Sequence, residues 1–422
     1  MEALSHYVWK YKLYESGNLF TSDGKALEIL DAGVHNSDAG PDFFNAKIKI
    51  DGETWAGNVE IHTAASDWNK HRHFGDKAYN SVVLHVVERL DLPAIFDRSG
   101  RSIPQWVMAI PERIKTSYRL LLYSELSVPC LFKVREIPEI YLSDWKNALL
   151  TERLERKTGD LLRLLDEYRG DWNEMFYVAL ARSYGFGINN DAFERLAKSL
   201  PLKIVLKHHD SPAQIEALFL GQAGLLDEEK PDNEYYSQLR REYIFFRKKY
   251  KLTPLESYIF RNLRTRPNNF PHIKILQLAG VVGNKQGLAS QILETAEDEK
   301  LHSLFVTELS EFWFTHYHFE KESIGKTKYL GMQAKQNLLI NVVVPLFFAY
   351  GKKNGSEQHI ERAFLLLESL KPEKNHIVTL FDDAGVKIEN AGDTQALIQL
   401  KREYCEKKKC MYCRIGHRLL AK

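Results

Sequence analysis

The chain has 422 residues, more than one hydrophobic core usually organises, so we expect at least two domains. With 44% hydrophobic and 27% charged residues the composition is that of a globular protein, and four cysteines are too few for a disulfide scaffold. The longest apolar stretch, residues 338–350, is interrupted by Asn341 and Pro345, which excludes a membrane span of ~20 apolar residues. The first residues lack the pattern of a signal peptide, so we expect a cytoplasmic protein.

The net charge of +2 conceals two basic segments. Residues 240–266 carry a net charge of +7, and residues 401–422 carry +6. Such local excesses of positive charge can hold phosphate groups even when the whole chain is almost neutral. Solvated helix faces beside acidic neighbours would give the same pattern, and both interpretations remain open.

The first hundred residues have the patterns of a mixed α/β region. Apolar spacing predicts a helix over residues 3–15, and alternation predicts strands over residues 26–30 and 43–50. Asp51-Gly52 is typical of a hairpin turn, and its partner strand spans residues 54–63. A short helix follows Ser66-Asp67, and the apolar run 81–87 predicts a strand buried on both faces.

Beyond residue 141 apolar residues recur at helical spacing to about residue 400. We therefore predict an α+β protein, with an N-terminal mixed β-sheet domain and flanking helices followed by a large all-α domain. The predicted boundaries are 1–136 for the sheet domain, 137–400 for the helical domain and 401–422 for a basic segment that contains cysteines.

Asp42, Glu60 and His62 are the first candidates for a site. Asp42 enters one strand of the predicted hairpin, while Glu60 and His62, two residues apart on the other strand, leave the sheet on the same face. Two carboxylates that converge in this way can bind a hard divalent cation such as Mg or Mn, which can activate a water molecule. Ordinary strand residues beside a strand-entry turn are the alternative.

The spacing of Pro41-Asp42 and the later Glu60-Ile61-His62 resembles the motif of the PD-(D/E)xK nuclease superfamily, and the predicted element order resembles that superfamily's core. The resemblance implies a restriction-endonuclease-like fold and a metal-dependent nuclease, with Asp42, Glu60 and His62 as catalytic residues. His62 stands where the family usually has lysine, a departure that bears on activity more than on fold.

Histidines are concentrated near this motif, with six of the fifteen in the first 85 residues. His71 and His73, with Asp38, are candidate helpers of the predicted site. A His-x-His pair can also chelate zinc, manganese or iron, which keeps open a histidine-rich enzyme acting on small molecules. His85, within an apolar run, is interpreted as a structural histidine.

Three of the four cysteines lie close together near the C-terminus, at Cys405, Cys410 and Cys413. Thiolates at this spacing suit zinc or an iron–sulfur cluster, with His417 or the distant Cys130 as the fourth ligand. Free thiols in a terminal helix are the alternative.

A third stretch of interest lies in the first basic segment, where cations precede a proline-bounded turn. It predicts phosphate contacts with nucleic acid, or else ordinary ion pairs in a loop between helices. The candidate nucleic-acid-binding residues are Lys248, Lys249, Arg261, Arg264 and Arg266.

Phrases spread over nearly the whole chain resemble a full-length family of uncharacterised bacterial proteins, known as a domain of unknown function. These phrases are residues 39–43, 58–62, 66–68, 216–225, 266–271 and 340–345. This resemblance implies no activity.

We therefore expect a metal-dependent nuclease or phosphodiesterase that acts on nucleic acid. A catalytically inactive scaffold that binds nucleic acid or protein is the alternative, and a zinc or iron enzyme for small molecules is a weaker one. The sequence sets neither the substrate nor the oligomeric state.

Overall fold

A computed structural model of the chain describes residues 2–15, 17–226, 233–262, 269–320 and 322–421. The protein is α+β, with a mixed β-sheet in the N-terminal part and a helical region after it. The chain divides into two units, of which the first contains residues 1–145 and 400–422 and the second contains residues 146–399.

Among the described residues before residue 123, the first unit has an α-helix, nine strands and two further α-helices. They are α1 (Glu2–Lys10), β1 (Leu19–Phe20), β2 (Ala26–Asp31), β3 (Val34–His35), β4 (Phe43–Ile50), β5 (Glu53–Ala64), α2 (Asp67–Lys70), β6 (Val82–Arg89), β7 (Ile95–Phe96), β8 (Ser102–Ile103), β9 (Gln105–Val107) and α3 (Glu112–Leu122). The predicted hairpin, short helix and buried strand are all confirmed. The first helix is shorter than predicted and ends at Lys10, because Lys12 has a positive φ of 51° that ends the helical path.

The main sheet is mixed, with the strand order β1-β2-β4-β5-β6-β9 and with β3 paired to β4. β4 and β5 are antiparallel and meet at the Asp51-Gly52 turn, where both residues have positive φ, at 49° and 90°. β5 runs parallel to β6, and β6 runs parallel to β9. In this register Glu60 is the partner of His85 across the β5–β6 pair.

Both faces of the sheet centre are covered. On one side, helix α1 packs against β5 and buries Leu4, Val8 and Trp9. On the other side, Trp68 of α2 and Tyr79 pack with Val82 and with residues of the small β7–β8 sheet. Since the sheet centre is enclosed from both sides, polar side chains of β5 lie inside the unit.

The helical region follows, with the first helix beginning in the first unit. Its helices are α4 (Glu139–Glu167), α5 (Trp172–Tyr184), α6 (Asn190–Ser199), α7 (Leu202–Val205), α8 (Pro212–Gln222), α9 (Glu234–Tyr250), α10 (Pro271–Gly283), α11 (Leu288–Glu294), α12 (Asp298–Ser303), α13 (Phe312–Thr315), α14 (Met332–Leu338), α15 (Val344–Asn354), α16 (Glu357–Ser369), α17 (His376–Asp383) and α18 (Ala391–Gln399). Within the described ranges, no helix combines the length and the apolar character needed to cross a bilayer.

The C-terminal segment belongs to the first unit. It starts with a π-helical turn, Leu400–Cys405, and ends with α19 (Arg414–Ala421). Helix α19 packs against α3, where the Arg113 guanidinium donates to the main-chain oxygens of Leu420 and Ala421 at 3.5 and 3.4 Å.

Candidate functional site

Asp42 and Glu60 lie side by side where the β4–β5 hairpin opens. The main-chain N–H of Asp42 donates to Glu60 Oε2 at 3.1 Å, and the N–H of Ile61 donates to Asp42 Oδ2 at 2.8 Å. Each carboxylate therefore accepts a hydrogen bond from the backbone of the opposite strand. These bonds hold both side chains in place, and they leave the second oxygen of Glu60, Oε1, for other contacts.

Glu60 Oε1 faces a cluster of imidazoles, His62, His71 and His73, which we call the histidine cluster. The oxygen lies 3.4 Å from His62 Nε2 and 3.2 Å from His73 Nε2. His62 Nε2 lies 3.1 Å from His71 Nδ1, and one nitrogen from each of the three rings lies within 4.8 Å of the other two. Three imidazole nitrogens thus surround one small volume, with Glu60 Oε1 beside two of them, an arrangement that suits a transition metal ion.

A hydrogen-bonded chain behind the cluster fixes the tautomer of His62. Gln105 donates through Nε2 to the oxygen of Leu92 at 3.1 Å, so its Oε1 faces His85 Nδ1, 3.3 Å away, and accepts from it. His85 Nε2 then has a lone pair, which accepts from His62 Nδ1 at 2.8 Å. Consequently His62 Nε2 carries a lone pair directed into the cluster, the state a metal ligand needs.

The loop after α2 brings the other two histidines to His62. Arg72 adopts the left-handed conformation, with φ 61° and ψ 28°, and this bend lets both neighbours turn inward. His73 then stacks on Tyr79 at 3.8 Å between ring centroids, and its Nε2 lies 3.2 Å from Glu60 Oε1.

Burial and mutual repulsion set the protonation of the cluster. Burial, with the neighbouring imidazole of His85, lowers the pKa of His62 to about 3. Burial raises the pKa of Glu60, although its hydrogen bond with His73 opposes the effect. At neutral pH His62 is therefore uncharged, so it can bind a cation without first losing a proton.

A second group lies on the other side of Asp42. Its ligand atoms come from Glu2, His6 and Asp42, and His6 Nε2 lies 3.3 Å from Asp42 Oδ2. Burial disfavours the charged forms of His6 and Asp42, but the attraction between the two groups is the stronger effect. The pKa of His6 is therefore raised and that of Asp42 is lowered. Among the described residues, neither group that could hold an ion contains both Asp42 and Glu60. A Mg or Mn ion shared by these two carboxylates therefore stays a prediction.

The remaining candidates of this part of the chain lie away from the cluster. Asp38 is exposed, and its main-chain groups bond with the side chain of Asn36. His417 contacts α1, where its Nδ1 lies 2.7 Å from the hydroxyl of Tyr7 and its ring lies 4.5 Å from that of Tyr11. His417 is therefore engaged with tyrosines, whereas the cysteines near it are considered below.

The candidate nucleic-acid-binding residues belong to the second unit. Lys248 and Lys249 are exposed at the end of α9, and Lys249 lies over the rings of Phe245 and Tyr250. Arg261 is exposed, and its main-chain groups bond with the side chain of Asn189. Arg264 and Arg266 lie outside the described residues, and contact with nucleic acid stays a prediction for all five.

Sequence reasoning missed three residues of the site. His6 reaches Asp42 from α1, and His85 and Gln105 form the chain that orients His62. The interpretation of His85 as a structural histidine named no partner for it, although its place in a buried strand beside Glu60-Ile61-His62 was the available signal. For Gln105 the sequence holds no such signal.

Comparison with known proteins places the chain in one family. No curated protein and no solved structure matches it. A family described as "Protein of unknown function (DUF2851)" matches residues 2–376, a range that includes the histidine cluster and the Asp42–Glu60 pair. Because this match covers most of the chain, the protein belongs to the DUF2851 family.

Proposed function

We propose that this protein is a metal-dependent phosphodiesterase that acts on nucleic acid, with the ion held by His62, His71 and His73. The observation that carries the proposal is the convergence of three imidazole nitrogens within 4.8 Å of one another, with Glu60 beside them. The lone pair of His62 Nε2 is directed into this volume by the chain through His85. Burying this set of ligand atoms costs free energy unless a cation or protons bind to them.

The donor set favours a transition metal over magnesium. Imidazole nitrogen suits zinc, manganese and iron, whereas magnesium prefers oxygen ligands and retains water. We therefore propose zinc or manganese at the histidine cluster. Of the two metals predicted from the carboxylate pair, manganese is the one that accepts both nitrogen and oxygen donors.

Positive charge around the cluster supports an anionic substrate. Arg72 and Lys77, in the loop that carries His73, are both exposed, whereas Lys70 at the end of α2 is paired with Asp67 at 2.6 Å. His71 is also exposed, although Glu60, His62 and His73 are only 5%, 1% and 8% exposed. A phosphate approaching along the His71 side would meet these cations before it met the cluster.

The order of elements supports the restriction-endonuclease-like part of the proposal. Asp42 enters β4, Glu60 lies on the antiparallel partner β5, and a short helix leads to the parallel strand β6. This is the order that the resemblance to the PD-(D/E)xK nucleases implies. His62 would serve as a metal ligand here instead of taking the role of the family's lysine.

The chemistry of the site would divide between the ion and Glu60. A bound zinc or manganese ion lowers the pKa of a coordinated water toward neutrality. Glu60 Oε1 lies beside two of the three imidazoles, and burial raises the pKa of its carboxyl, which suits a group that accepts a proton near neutral pH. Glu60 is thus proposed as the general base.

The test uses the full chain stripped of metal with a chelator and reloaded separately with zinc, manganese or magnesium. Single- and double-stranded DNA and RNA and the model diester bis(4-nitrophenyl) phosphate are the substrates. We expect cleavage that the chelator abolishes and that falls at least about 100-fold in Glu60→Gln. His71→Ala should lose the metal, and His209→Ala, an exposed histidine of the second unit, should behave as the unchanged protein.

Three results would overturn parts of the proposal. Cleavage that survives both the chelator and the Glu60→Gln change would place the activity elsewhere. Nucleic acid bound without cleavage by the metal-loaded chain would favour the inactive scaffold. Cleavage of the model diester but of no polymer would favour the small-molecule enzyme, a reading that the low exposure of Glu60, His62 and His73 also supports.

A further inference from the structure

The structure gathers all four cysteines of the chain, although Cys130 is 275 positions before Cys405 in the sequence. Cys130 precedes a short 3-10 helix, Leu131–Glu136, while the other three lie in the C-terminal segment. Burial and the negative charge of Cys413 and Cys410 raise the pKa of the Cys130 thiol to about 12. The same influence from Cys130, Cys413 and Cys410 acts on Cys405, so the four thiols share one neighbourhood.

Contacts on both sides of the cysteines hold the two segments together. Lys408 donates through Nζ to the main-chain oxygen of Ser124 at 2.5 Å, six residues before Cys130. Farther along, the ring of Tyr404 lies 5.3 Å from that of Trp145, and the Arg418 guanidinium lies 3.9 Å from the ring centre of Tyr141. The neighbourhood therefore rests on several independent contacts.

Backbone hydrogen bonds form two tight turns in the segment that carries the three C-terminal cysteines. The N–H of Lys408 donates to the oxygen of Cys405 at 3.1 Å, and the N–H of Cys413 donates to that of Cys410 at 3.2 Å. Gly416 lets α19 approach this turn, because a Cβ at Gly416 would lie 2.0 Å from the oxygen of Cys410. Two successive tight turns and one glycine thus make this cysteine-containing segment compact.

Cys130, Cys405 and Cys413 are buried, and Cys410 is partly buried. From this geometry we propose that Cys130, Cys405, Cys410 and Cys413 form one metal site with four thiolate ligands. Four thiols in one place, three of them buried and one partly buried, are good ligands for a thiophilic metal. Cys130 takes the fourth position in this site, since it is the one cysteine outside the C-terminal group and is itself buried. The ring of His417 packs against those of Tyr7 and Tyr11.

The spacing favours an iron–sulfur cluster over a single zinc ion. Thiolates on one tetrahedral zinc stand about 3.8 Å apart, since each Zn–S bond is ~2.3 Å. All four cysteines lie in the described part of the chain, and no three of their sulfur atoms come within 4.8 Å of one another. A four-iron cluster holds its thiolates farther apart than one ion does, because each binds a different iron atom.

The experiment is metal and sulfide analysis of the full chain, purified without oxygen from cells supplied with both iron and zinc. We expect iron and acid-labile sulfide in equal amounts, up to about four of each per chain, with broad visible absorption. Cys130→Ser and Cys410→Ser should each lose most of the iron and the colour. His417→Gln should keep them.

One further variant and one control measurement make the result specific to this site. His71→Ala, which alters the histidine cluster, should leave iron and sulfide unchanged, so this test is independent of the proposed function. Circular dichroism of each variant checks that the helices persist. One zinc per chain without sulfide, lost in Cys130→Ser, would overturn the iron–sulfur assignment, and metal content unchanged in Cys130→Ser would overturn the four-thiolate site.

Discussion

His62 Nδ1 lies 2.8 Å from His85 Nε2, and this contact determines which nitrogen of His62 faces the histidine cluster. The strand register explains the contact, because Glu60 is the β5 partner of His85 and His62 follows two residues later. The sheet thus supplies the orientation of the ring as well as its position.

The amide of Gln105 controls this orientation from a distance, so Gln105→Leu should weaken metal binding. Without the acceptor Oε1, His85 can place its proton on Nε2, and His62 would then turn its own proton toward the cluster. We expect affinity for zinc or manganese to fall about 10- to 100-fold, measured by competition with a chromogenic chelator. Gln291→Leu, an exposed glutamine of α11, is the control. Equal affinity in the two variants would show that the chain does not set the tautomer.

Asp42→Asn distinguishes a histidine-centred ion from one shared by the two carboxylates. Asp42 pairs with His6 and accepts from the N–H of Ile61, and asparagine can retain the second contact. With the ion on the histidine cluster, we expect less than about a threefold loss of metal affinity, against at least about tenfold for His73→Ala. Isothermal titration with manganese measures both. Equal losses would favour an ion bound by Asp42 and Glu60 together.

Much of the sheet could be predicted from the sequence, because alternation and the Asp51-Gly52 turn are local signals. They placed Asp42 at the entry of β4 and Glu60 and His62 on one face of β5. The burial of Glu60 and His62 was not predictable, because it depends on residues that follow the strand in the chain. Trp68 packs against His85, and Tyr79 stacks on His73.

Contacts between segments far apart in the sequence could not be predicted either. The parallel pairing of β6 with β9 brings Gln105 to His85, and no periodicity within either strand encodes that pairing. For the same reason, the C-terminal cysteines predicted a metal site but left His417 and Cys130 as equal alternatives. The proposed four-thiolate site takes Cys130, which is buried, while the ring of His417 packs against those of Tyr7 and Tyr11.

Lys274 should make the stability of the second unit depend on pH. It is 5% exposed on α10, donates to Gln277 Oε1 at 3.0 Å, and burial lowers its pKa from 10.5 to about 8. Because the unfolded chain holds this proton more tightly, the free energy of unfolding should rise as pH rises from about 8 to 10.5. Below pH 8 the full cost of the buried charge is present.

Lys274→Met removes that cost and leaves the Gln277 oxygen without its donor. At pH 7 we expect the free energy of unfolding to rise by about 1–2 kcal/mol, since the cost of the buried charge exceeds that of one lost hydrogen bond. The gain should shrink toward pH 10. Urea unfolding at both pH values measures it, with Lys300→Met, an exposed lysine paired with Glu297, as the control. A gain of the same size at both pH values would contradict a buried charge as its source.

Replacing either of two helix glycines in the same unit by alanine should change the free energy of unfolding, in opposite directions at the two positions. A Cβ at Gly221 of α8 would lie 2.0 Å from Cγ of Tyr243, a side chain that is 1% exposed on α9 and donates to Gln222 Oε1 at 3.0 Å. The ring cannot retreat without breaking that bond, so Gly221→Ala should lower the free energy of unfolding by about 2–3 kcal/mol. Gly159 of α4 has no atom within 4 Å of its Cβ position, so Gly159→Ala should raise it by about 0.5–1 kcal/mol through helix propensity alone.

Urea unfolding of both variants, followed by far-ultraviolet circular dichroism, measures the two changes under the same conditions. The comparison separates close packing from propensity, because the substitution is chemically identical and both positions are helical. A stabilising Gly221→Ala would mean that α8 and α9 have room to separate. The Tyr243 hydroxyl would then no longer hold Gln222, whose Nε2 also donates to the main-chain oxygen of Thr253 at 2.8 Å. The loop after α9 should then become more open to proteolysis, which limited digestion of the same variant would detect.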